Sequence, residues 1–182
     1  MNLKLLLTGR PGTGKTTAIK RVLAAFPDQF AGIYTEEIRE HGVRVGFRMC
    51  DLDGNVGILA HLDYARTMPR VAAYGVDVGV VDQIGTAAVR RALESNRALV
   101  IDELAPMEFY SPAFVAIIHE AFASPLDLLA GIVYRRDRVA DAIKARDGVE
   151  VLTLTVPTRA QLTDLLLHRF AARFTLLNNT LS

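Results

Sequence analysis

Hydrophobic residues follow two spacings along the chain, and segments with one spacing alternate with segments that have the other. Short, nearly continuous apolar runs predict buried strands at 3–8, 30–38, 98–102, 128–134 and 149–155. Apolar residues that repeat every three or four positions predict amphipathic helices at 15–26, 86–95, 112–122, 138–145 and 158–174. Because strands that alternate with helices form mostly parallel sheets with helices on both faces, the pattern predicts an α/β fold.

One segment departs from this pattern, because its apolar and non-apolar residues change places at every step. The apolar positions of residues 43–50 are Val43, Val45, Phe47 and Met49, and this period of two predicts a half-exposed strand. Asp53-Gly54 predicts a turn, after which residues 56–60 return as the partner strand of an inserted β-hairpin. Residues 61–79 are expected to be irregular, since Met68-Pro69 and Tyr74-Gly75 interrupt any regular element there.

Length and charge narrow the class of protein. A chain of 182 residues suits one α/β domain over 1–182, and a hydrophobic content of 51% is far above that of a disordered chain. Twenty-one basic and twenty acidic residues leave a formal net charge of +1. Because this balance creates no overall field that attracts polyanions, we expect neither a nucleic-acid nor a membrane partner.

Cysteine content and hydrophobic run lengths indicate a compartment. Cys50 is the only cysteine, so the chain forms no internal disulfide, as is usual in a reducing compartment. The apolar run that ends at Thr8 is too short for a signal peptide, and no later charge-free stretch is long enough to cross a bilayer. We therefore expect a cytoplasmic protein. We also expect it to act as a monomer.

A glycine-rich loop follows the first predicted strand. It matches the pattern G-x-x-x-x-G-K-[ST] with Gly9, Arg10, Pro11, Gly12, Thr13, Gly14, Lys15 and Thr16. The glycines allow successive backbone N–H groups to face the phosphates of a nucleotide, and the helix that follows adds the positive end of its dipole. We expect Lys15 to bind the β- and γ-phosphates as a catalytic residue and the Thr16 hydroxyl to bind Mg²⁺. This motif predicts a P-loop nucleoside-triphosphate-binding enzyme.

Two adjacent carboxylates end a second apolar strand. Asp102 follows the run 98–101, where P-loop enzymes place an acidic residue that binds Mg²⁺. Glu103 comes next and is the candidate catalytic base that orients and polarises the attacking water. An adjacent Asp-Glu pair favours hydrolysis by water over the chemistry of small G proteins.

Three stretches resemble the P-loop nucleoside-triphosphatase family that was first known from thermophiles and has a human cancer-related member. They are the glycine-rich loop; G-I-Y-T-E-E-I-R at 32–39 with later G-F and G-I-L-A segments; and I-D-E-L-A-P-M-E at 101–108. Two positions depart from the family pattern. Ala105 stands where the family has glycine, and Thr158 where it has an asparagine before arginine.

This resemblance implies a RecA-like sheet and Mg²⁺-dependent hydrolysis of ATP, GTP and other nucleoside triphosphates, with little selectivity for the base. The products would be the nucleoside diphosphate and phosphate. It also implies two segments that contact the nucleotide. The first is the glycine-rich loop, and the second consists of Leu99, Val100, Ile101, Asp102, Glu103, Leu104, Ala105 and Pro106.

Weaker signals concern charged residues outside these segments. Arg135, Arg136 or Arg138 could neutralise charge in the transition state, although a solvated helix start explains them as well, and the resemblance favours the first two. Glu36 and Glu37 are candidates for a place near Mg²⁺ or water, or for an exposed pair. The histidines have no metal-ligand spacing, and Glu108 receives no role.

Two other functions remain open. A nucleotide or nucleoside kinase would use the arginine-rich segment 135–146 as a lid, but the sequence identifies no pocket for a phosphoryl acceptor. A nucleotide-dependent regulatory switch would hydrolyse its nucleotide slowly, only to reset itself. The carboxylate that follows Asp102 favours water as the acceptor, and therefore the hydrolase.

Overall fold

One mixed sheet of parallel and antiparallel strands runs through the molecule. The computed structural model describes residues 2–95 and 97–180. Within these residues the strands are β1 (Lys4–Thr8), β2 (Phe30–Glu40), β3 (Val43–Asp51), β4 (Val56–His61), β5 (Arg70–Val71), β6 (Tyr74–Val76), β7 (Ala98–Leu104), β8 (Leu128–Ile132) and β9 (Glu150–Thr153). Their order in the sheet is β5-β6-β4-β3-β2-β7-β8-β1-β9.

The strand order separates a parallel core from an antiparallel extension. The neighbours β2, β7, β8, β1 and β9 pair in parallel, whereas β3, β4, β6 and β5 continue the sheet from β2 in antiparallel pairs. β8 lies between β1 and β7. Because parallel strands end at the same edge of a sheet, the carboxyl ends of β1 and β7 face the same side of the molecule.

Helices cover the parallel core. In the described residues they are α1 (Lys15–Ala25), α2 (Val78–Val80), α3 (Ala87–Ser95), α4 (Pro112–Ala123), α5 (Arg138–Lys144) and α6 (Arg159–Thr180). A π-helical stretch, Val81–Thr86, joins α2 to α3, and a short 3₁₀ turn, Glu108–Tyr110, precedes α4. None of the helices in this part of the chain combines the length and apolarity that crossing a bilayer requires.

Alternate residues of β1 face two separate hydrophobic layers. Leu6 packs in the layer that contains residues of α3 and α4, whereas Leu5 and Leu7 pack in the layer that contains residues of α1 and α6. These three leucines are at most 1% exposed. Burial on both faces explains why the strand is a continuous apolar run rather than an alternating one. The predictions of a mostly parallel core and of helices on both faces are confirmed.

The prediction that residues 61–79 are irregular was wrong. This segment contains β5, β6 and the start of the helix that was predicted to begin at residue 86. Strands of two and three residues are too short to show a period of two in the sequence. The earlier helix start is capped by Asp77, whose side chain accepts a hydrogen bond from the Gly79 amide at 2.9 Å.

The predicted hairpin is confirmed, because β3 and β4 pair antiparallel from Gly46 opposite His61 to Cys50 opposite Val56. It belongs to a larger antiparallel extension, in which β2 pairs with β3 from Ile33 opposite Asp51 to Glu40 opposite Val43. Glu37, late in β2, forms ion pairs of 2.6 Å with Arg39 and 2.8 Å with Arg44. This extension therefore adds a charged, half-exposed strand pair beside the edge at which β1 and β7 end.

Candidate functional site

The glycine-rich loop links β1 to α1, and two of its glycines are required by its shape. Gly9 has a φ of +152°, and a Cβ built on it would lie 2.4 Å from the backbone oxygen of Leu154. Gly14 caps α1 with a φ of +104°, which is in the left-handed region that favours glycine. The backbone therefore curls tightly at the N-terminus of an 11-residue helix, where unpaired N–H groups and the helix dipole attract anions.

The loop and the acidic strand end come into direct contact. Lys15 Nζ donates a hydrogen bond to the carbonyl oxygen of Gly9 at 3.0 Å and lies 3.4 Å from Glu103 Oε1. Thr16 Oγ1 donates to Asp102 Oδ1 at 3.2 Å. Four residues that the sequence singled out thus meet at one point, although 86 positions separate Thr16 from Asp102.

A β-bulge in β7 explains how two adjacent residues reach the same loop. Ile101 is opposite Ala130 and Leu104 is opposite Ile132, so Asp102 and Glu103 together face only one residue of β8. In a regular strand, adjacent side chains point to opposite faces, whereas a bulge changes the direction of one of them. Both carboxylates consequently contact the loop.

Asp102 is buried, and no basic side chain among residues 2–95 and 97–180 forms an ion pair with its carboxylate. Asp102 is 3% exposed, and burial raises the pKa of its carboxyl group to about 6. The hydrogen bond from Thr16 lowers the pKa, whereas the negative charge of Glu103 raises it further. Its backbone oxygen accepts a hydrogen bond from Thr35 Oγ1 at 3.2 Å, which ties β7 to β2.

The donor set at this point suits a hard cation that also binds phosphate. Thr16 and Asp102 offer oxygen atoms, which Mg²⁺ prefers. Among residues 2–95 and 97–180, no group of three or more His, Cys, Asp or Glu side chains could enclose a metal ion by itself. Mg²⁺ usually keeps several waters and binds one or two protein groups plus substrate phosphates, so this small donor set fits it.

Two cavities open on either side of Lys15 and Glu103. The first, the loop cavity, has a volume of about 680 Å³ and is lined by residues that include Thr16, Thr35 and Glu36. The second, the arginine cavity, has a volume of about 560 Å³ and is lined by Arg10, Tyr134 and Arg135 among others. Pro11, Lys15 and Glu103 line both cavities, so these side chains form the boundary between them.

The candidate arginines differ in where they lie. Arg135 follows β8 and lines the arginine cavity, whereas Arg136 and Arg138 are not among the lining residues. All three are exposed, and Arg138 begins α5. The structure therefore brings only Arg135 of this group to the cavity that Lys15 and Glu103 share.

Glu36 and Glu37 line the loop cavity but already have basic partners. Glu36 lies 2.7 Å from Arg48 and 3.8 Å from Lys20. Hydrogen bonds from Arg44 and Arg39 lower the pKa of Glu37. Both carboxylates therefore have basic partners other than Lys15, whereas Glu103 lies 3.4 Å from Lys15.

The segment 99–106 separates into a buried part and an accessible part. Leu99, Val100, Ile101 and Leu104 are fully buried in the sheet, and of the whole segment only Glu103 lines the two cavities. Sequence reasoning gave no role to Thr35, although this residue lies in the stretch Y-T-E-E that carries part of the family resemblance. The structure places Thr35 at the wall of the loop cavity and in contact with the backbone of Asp102.

The fold and this loop define the class of the protein. A glycine-rich phosphate loop between a buried parallel strand and a helix, with an acidic strand end beside it, is the arrangement of P-loop nucleotide-binding proteins. A family model described as NTPase matches residues 4–167. The chain belongs to this nucleoside-triphosphatase family, and the enzyme is a nucleotide-binding hydrolase.

Relatives and solved structures agree with this assignment. The nucleoside-triphosphatase THEP1 of Thermotoga petrophila is 40% identical over 160 residues, which cover 88% of each chain. The crystal structure of THEP1 from the hyperthermophile Aquifex aeolicus has a TM-score of 0.84 and 25% identity, and the match covers 91% of this chain and 98% of that one. The solution structure of a human cancer-related nucleoside triphosphatase has a TM-score of 0.80 and 27% identity, with 93% and 98% covered. The resemblance seen in the sequence is confirmed.

Proposed function

We propose that the enzyme hydrolyses ATP, GTP and other nucleoside triphosphates to the diphosphate and phosphate, with Mg²⁺, at the edge where β1 and β7 end. The observation that carries this proposal is the contact of 3.4 Å between Lys15 and Glu103, which joins the phosphate loop to a carboxylate. Low selectivity for the base is supported by the names of the relatives, which refer to nucleoside triphosphates and specify no particular base.

Binding begins at the loop. Its backbone N–H groups and the N-terminus of α1 would hold the phosphates, and Lys15 would add a compact positive charge. Lys15 now contacts Gly9 and Glu103, and its side chain is only 11% exposed. A low-dielectric setting strengthens its attraction for phosphate oxygens.

Thr16 and Asp102 would hold the metal ion. When bound, Mg²⁺ supplies charge neutralisation for the phosphates. Asp102 is suited to this role because burial disfavours its charged form until a cation is present. Thr35 would keep the backbone of Asp102 in place through its hydrogen bond.

Glu103 would orient the attacking water. Its carboxylate lines both cavities and is 31% exposed, so water reaches it. As the water oxygen bonds to the γ-phosphorus, a water proton passes to a Glu103 carboxylate oxygen. The bond between the γ-phosphorus and its bridging oxygen breaks, and the electron pair leaves with the diphosphate.

The proposal is tested by identifying products. Purified protein is incubated with Mg²⁺ and, separately, with each common nucleoside triphosphate. We expect equimolar diphosphate and phosphate from several of them. Turnover of only one of these nucleoside triphosphates, or release of monophosphate and pyrophosphate, would contradict the proposed reaction.

The first prediction concerns the metal. Asp102→Asn removes a charged oxygen ligand, so the Mg²⁺ concentration for half-maximal activity should rise by roughly tenfold or more, as for a weakened metal ligand set. Asp147→Asn is the control, because Asp147 is exposed in the turn before β9. Full activity of the unmodified enzyme after rigorous chelation would show that no metal takes part.

The second prediction concerns the arginines. We propose that Arg135 stabilises transition-state charge, because it lines the cavity next to Lys15 and Glu103. Arg135→Ala should lower kcat by roughly tenfold, since solvent screens an exposed charge. Arg136→Ala, its matched neighbour, should stay within about twofold of normal. Equal effects of the two variants on kcat would contradict this assignment.

Transfer of the phosphoryl group to an acceptor larger than water is a second candidate function. The arginine cavity, at about 560 Å³, is far larger than one water needs, and it contains Tyr134 and Arg135 beside Glu103. Nucleosides and nucleoside monophosphates are therefore added to the product assay. A newly phosphorylated acceptor would support a kinase, whereas phosphate alone would leave hydrolysis as the reaction.

A further inference from the structure

A third cavity borders the phosphate loop on the side of α6. This α6 cavity has a volume of about 340 Å³, and its lining includes Gly14, Thr17, Arg21, Arg159 and Thr163. Unlike the loop cavity and the arginine cavity, it is lined by neither Lys15 nor Glu103. Its volume is within the range of pockets that bind small molecules, near the lower end.

The chain after β9 brings the start of α6 to this cavity. The Leu154 amide donates a hydrogen bond to the Thr8 carbonyl at 2.7 Å, so the chain leaves β9 directly beside the start of the phosphate loop. After a short turn, the Arg159 amide donates to the Thr155 carbonyl at 3.0 Å. Thr163 Oγ1 donates to the Arg159 carbonyl at 2.6 Å. The backbone of Arg159 is therefore held in place next to the loop.

The side chain of Arg159 extends along the loop. A Cβ built on Gly14 would lie 3.6 Å from Arg159 Cδ, which is an ordinary contact distance. Arg21 reaches the same cavity from α1. Within the part of the chain that the structure describes, neither arginine forms an ion pair, whereas Arg169 farther along α6 pairs with Glu150. Two guanidinium groups can therefore contact a ligand in this cavity.

The direction of the phosphate chain indicates which part of a nucleotide reaches the α6 cavity. In the proposed reaction the γ-phosphate lies beside Lys15 and Glu103, and the loop amides hold the phosphates that precede it. The nucleoside is attached to the α-phosphate, so it lies at the end away from Glu103. Gly14 and Thr17 line both the loop cavity and the α6 cavity, so the two spaces meet at that end of the loop.

We propose that the α6 cavity is the subsite for the base of the nucleoside triphosphate, where the guanidinium plane of Arg159 stacks on the flat face of the base. This inference rests on the proposed function, which places the phosphates in the loop. Stacking tolerates any base because every base has a π-face. None of the described residues that line the cavity has a carboxylate or carboxamide side chain, the groups that pair with the edge of one particular base. The subsite therefore accounts for low selectivity.

Calorimetric binding of the reaction products tests the subsite without hydrolysis. The Kd values of ADP, GDP, CDP and UDP are compared with that of pyrophosphate, which has two phosphate groups but no nucleoside. Arg159→Ala should raise the Kd of every nucleoside diphosphate by roughly five- to tenfold, because a stacking contact is lost, and leave pyrophosphate within about twofold. Arg159→Lys keeps the charge but not the plane, so its Kd values should stay within about twofold of those of Arg159→Ala. Arg169→Ala is the control on the same helix and should bind all five ligands normally.

Four results would overturn the proposal. Equal losses for pyrophosphate and the nucleoside diphosphates would show that Arg159 contacts a phosphate. Normal Kd values in Arg159→Ala would show no contact, full recovery in Arg159→Lys would show that charge alone matters, and a loss confined to one base would show recognition of a base edge.

Turnover separates this inference from the proposed function. At saturating nucleoside triphosphate, Arg159→Ala should keep kcat within about threefold of normal while KM rises, because Lys15 and Glu103 are unchanged. Normal KM and kcat in Arg159→Ala would remove only the base subsite. Absence of hydrolysis by the unmodified protein would instead remove the proposed function, and the Kd values of the diphosphates would still decide the role of Arg159.

Discussion

Replacement of Lys15 by alanine should lower kcat by about 10²–10³-fold, the usual effect of removing one preorganised group that stabilises transition-state charge. The expectation follows from position, because Lys15 lies at the N-terminus of α1, is largely buried, and contacts both the loop and Glu103. Nucleotide affinity should also fall, since the amine attracts the phosphates before the reaction begins. Circular dichroism and steady-state kinetics on the same preparation measure fold and turnover together.

Lys20→Ala is the matched control for this variant. Lys20 lies on the same helix and lines the loop cavity, but its side chain is 53% exposed and pairs with Glu36 at 3.8 Å. Its loss should change kcat by no more than about fivefold, because exposed ion pairs are weak. If both lysine variants lose activity equally, a general positive field and not the specific position of Lys15 is responsible.

Glu103→Gln should separate binding from chemistry. Glutamine keeps the size of the side chain but cannot accept the water proton, so kcat should fall by about 10²–10⁴-fold, the usual value of a general base. Binding should survive or tighten, because the change removes a negative charge 3.4 Å from Lys15 and beside the phosphate site. The intact triphosphate should therefore remain on the protein long enough to be isolated with Mg²⁺.

Asp102→Asn is the comparison variant, because it should affect binding as well as turnover. Asp102 is buried against Thr16, so its replacement should weaken metal and nucleotide binding together. Nucleotide Kd and kcat are measured for both variants under the same conditions. Normal turnover by Glu103→Gln would reduce Glu103 to a structural carboxylate, and Glu36 and Glu37 would be the next candidates.

The sequence located the phosphate loop and the acidic strand end because each is a contiguous motif. A loop between a buried strand and a helix needs glycine at particular steps, and Gly9 and Gly14 have the backbone angles that the pattern implied. Continuous apolar runs identified the strands of the parallel core for the same reason. These features depend on neighbours in the chain, which a sequence displays.

Features that depend on distant neighbours could not be predicted. The bulge that turns Asp102 and Glu103 toward the same loop arises from pairing with β8, where one residue, Gly131, faces both of them. A Cβ on Gly131 would lie 3.3 Å from Asp102 Oδ1, so the small residue leaves room for the acid. Period-two reasoning alone would have placed the two carboxylates on opposite faces of the sheet.

Glu108 was also beyond prediction from the sequence. A glutamate that follows a strand is usually solvated, since loop residues lie at the surface. Only the packed structure shows that Glu108 is buried. Likewise, the choice between Arg135 and Arg136 required the shape of the cavity, because the two residues are adjacent and of the same type.

In the proposed reaction, water at the Lys15–Glu103 site attacks the γ-phosphorus of a nucleoside triphosphate. Hydrolysis in water enriched in the heavy oxygen isotope, followed by mass spectrometry of both products, shows where the water oxygen goes. We expect one heavy oxygen atom in each phosphate from the first turnover and none in the diphosphate. Heavy oxygen in the diphosphate, or a γ-phosphoryl group recovered on another molecule without labelled phosphate, would contradict this reaction.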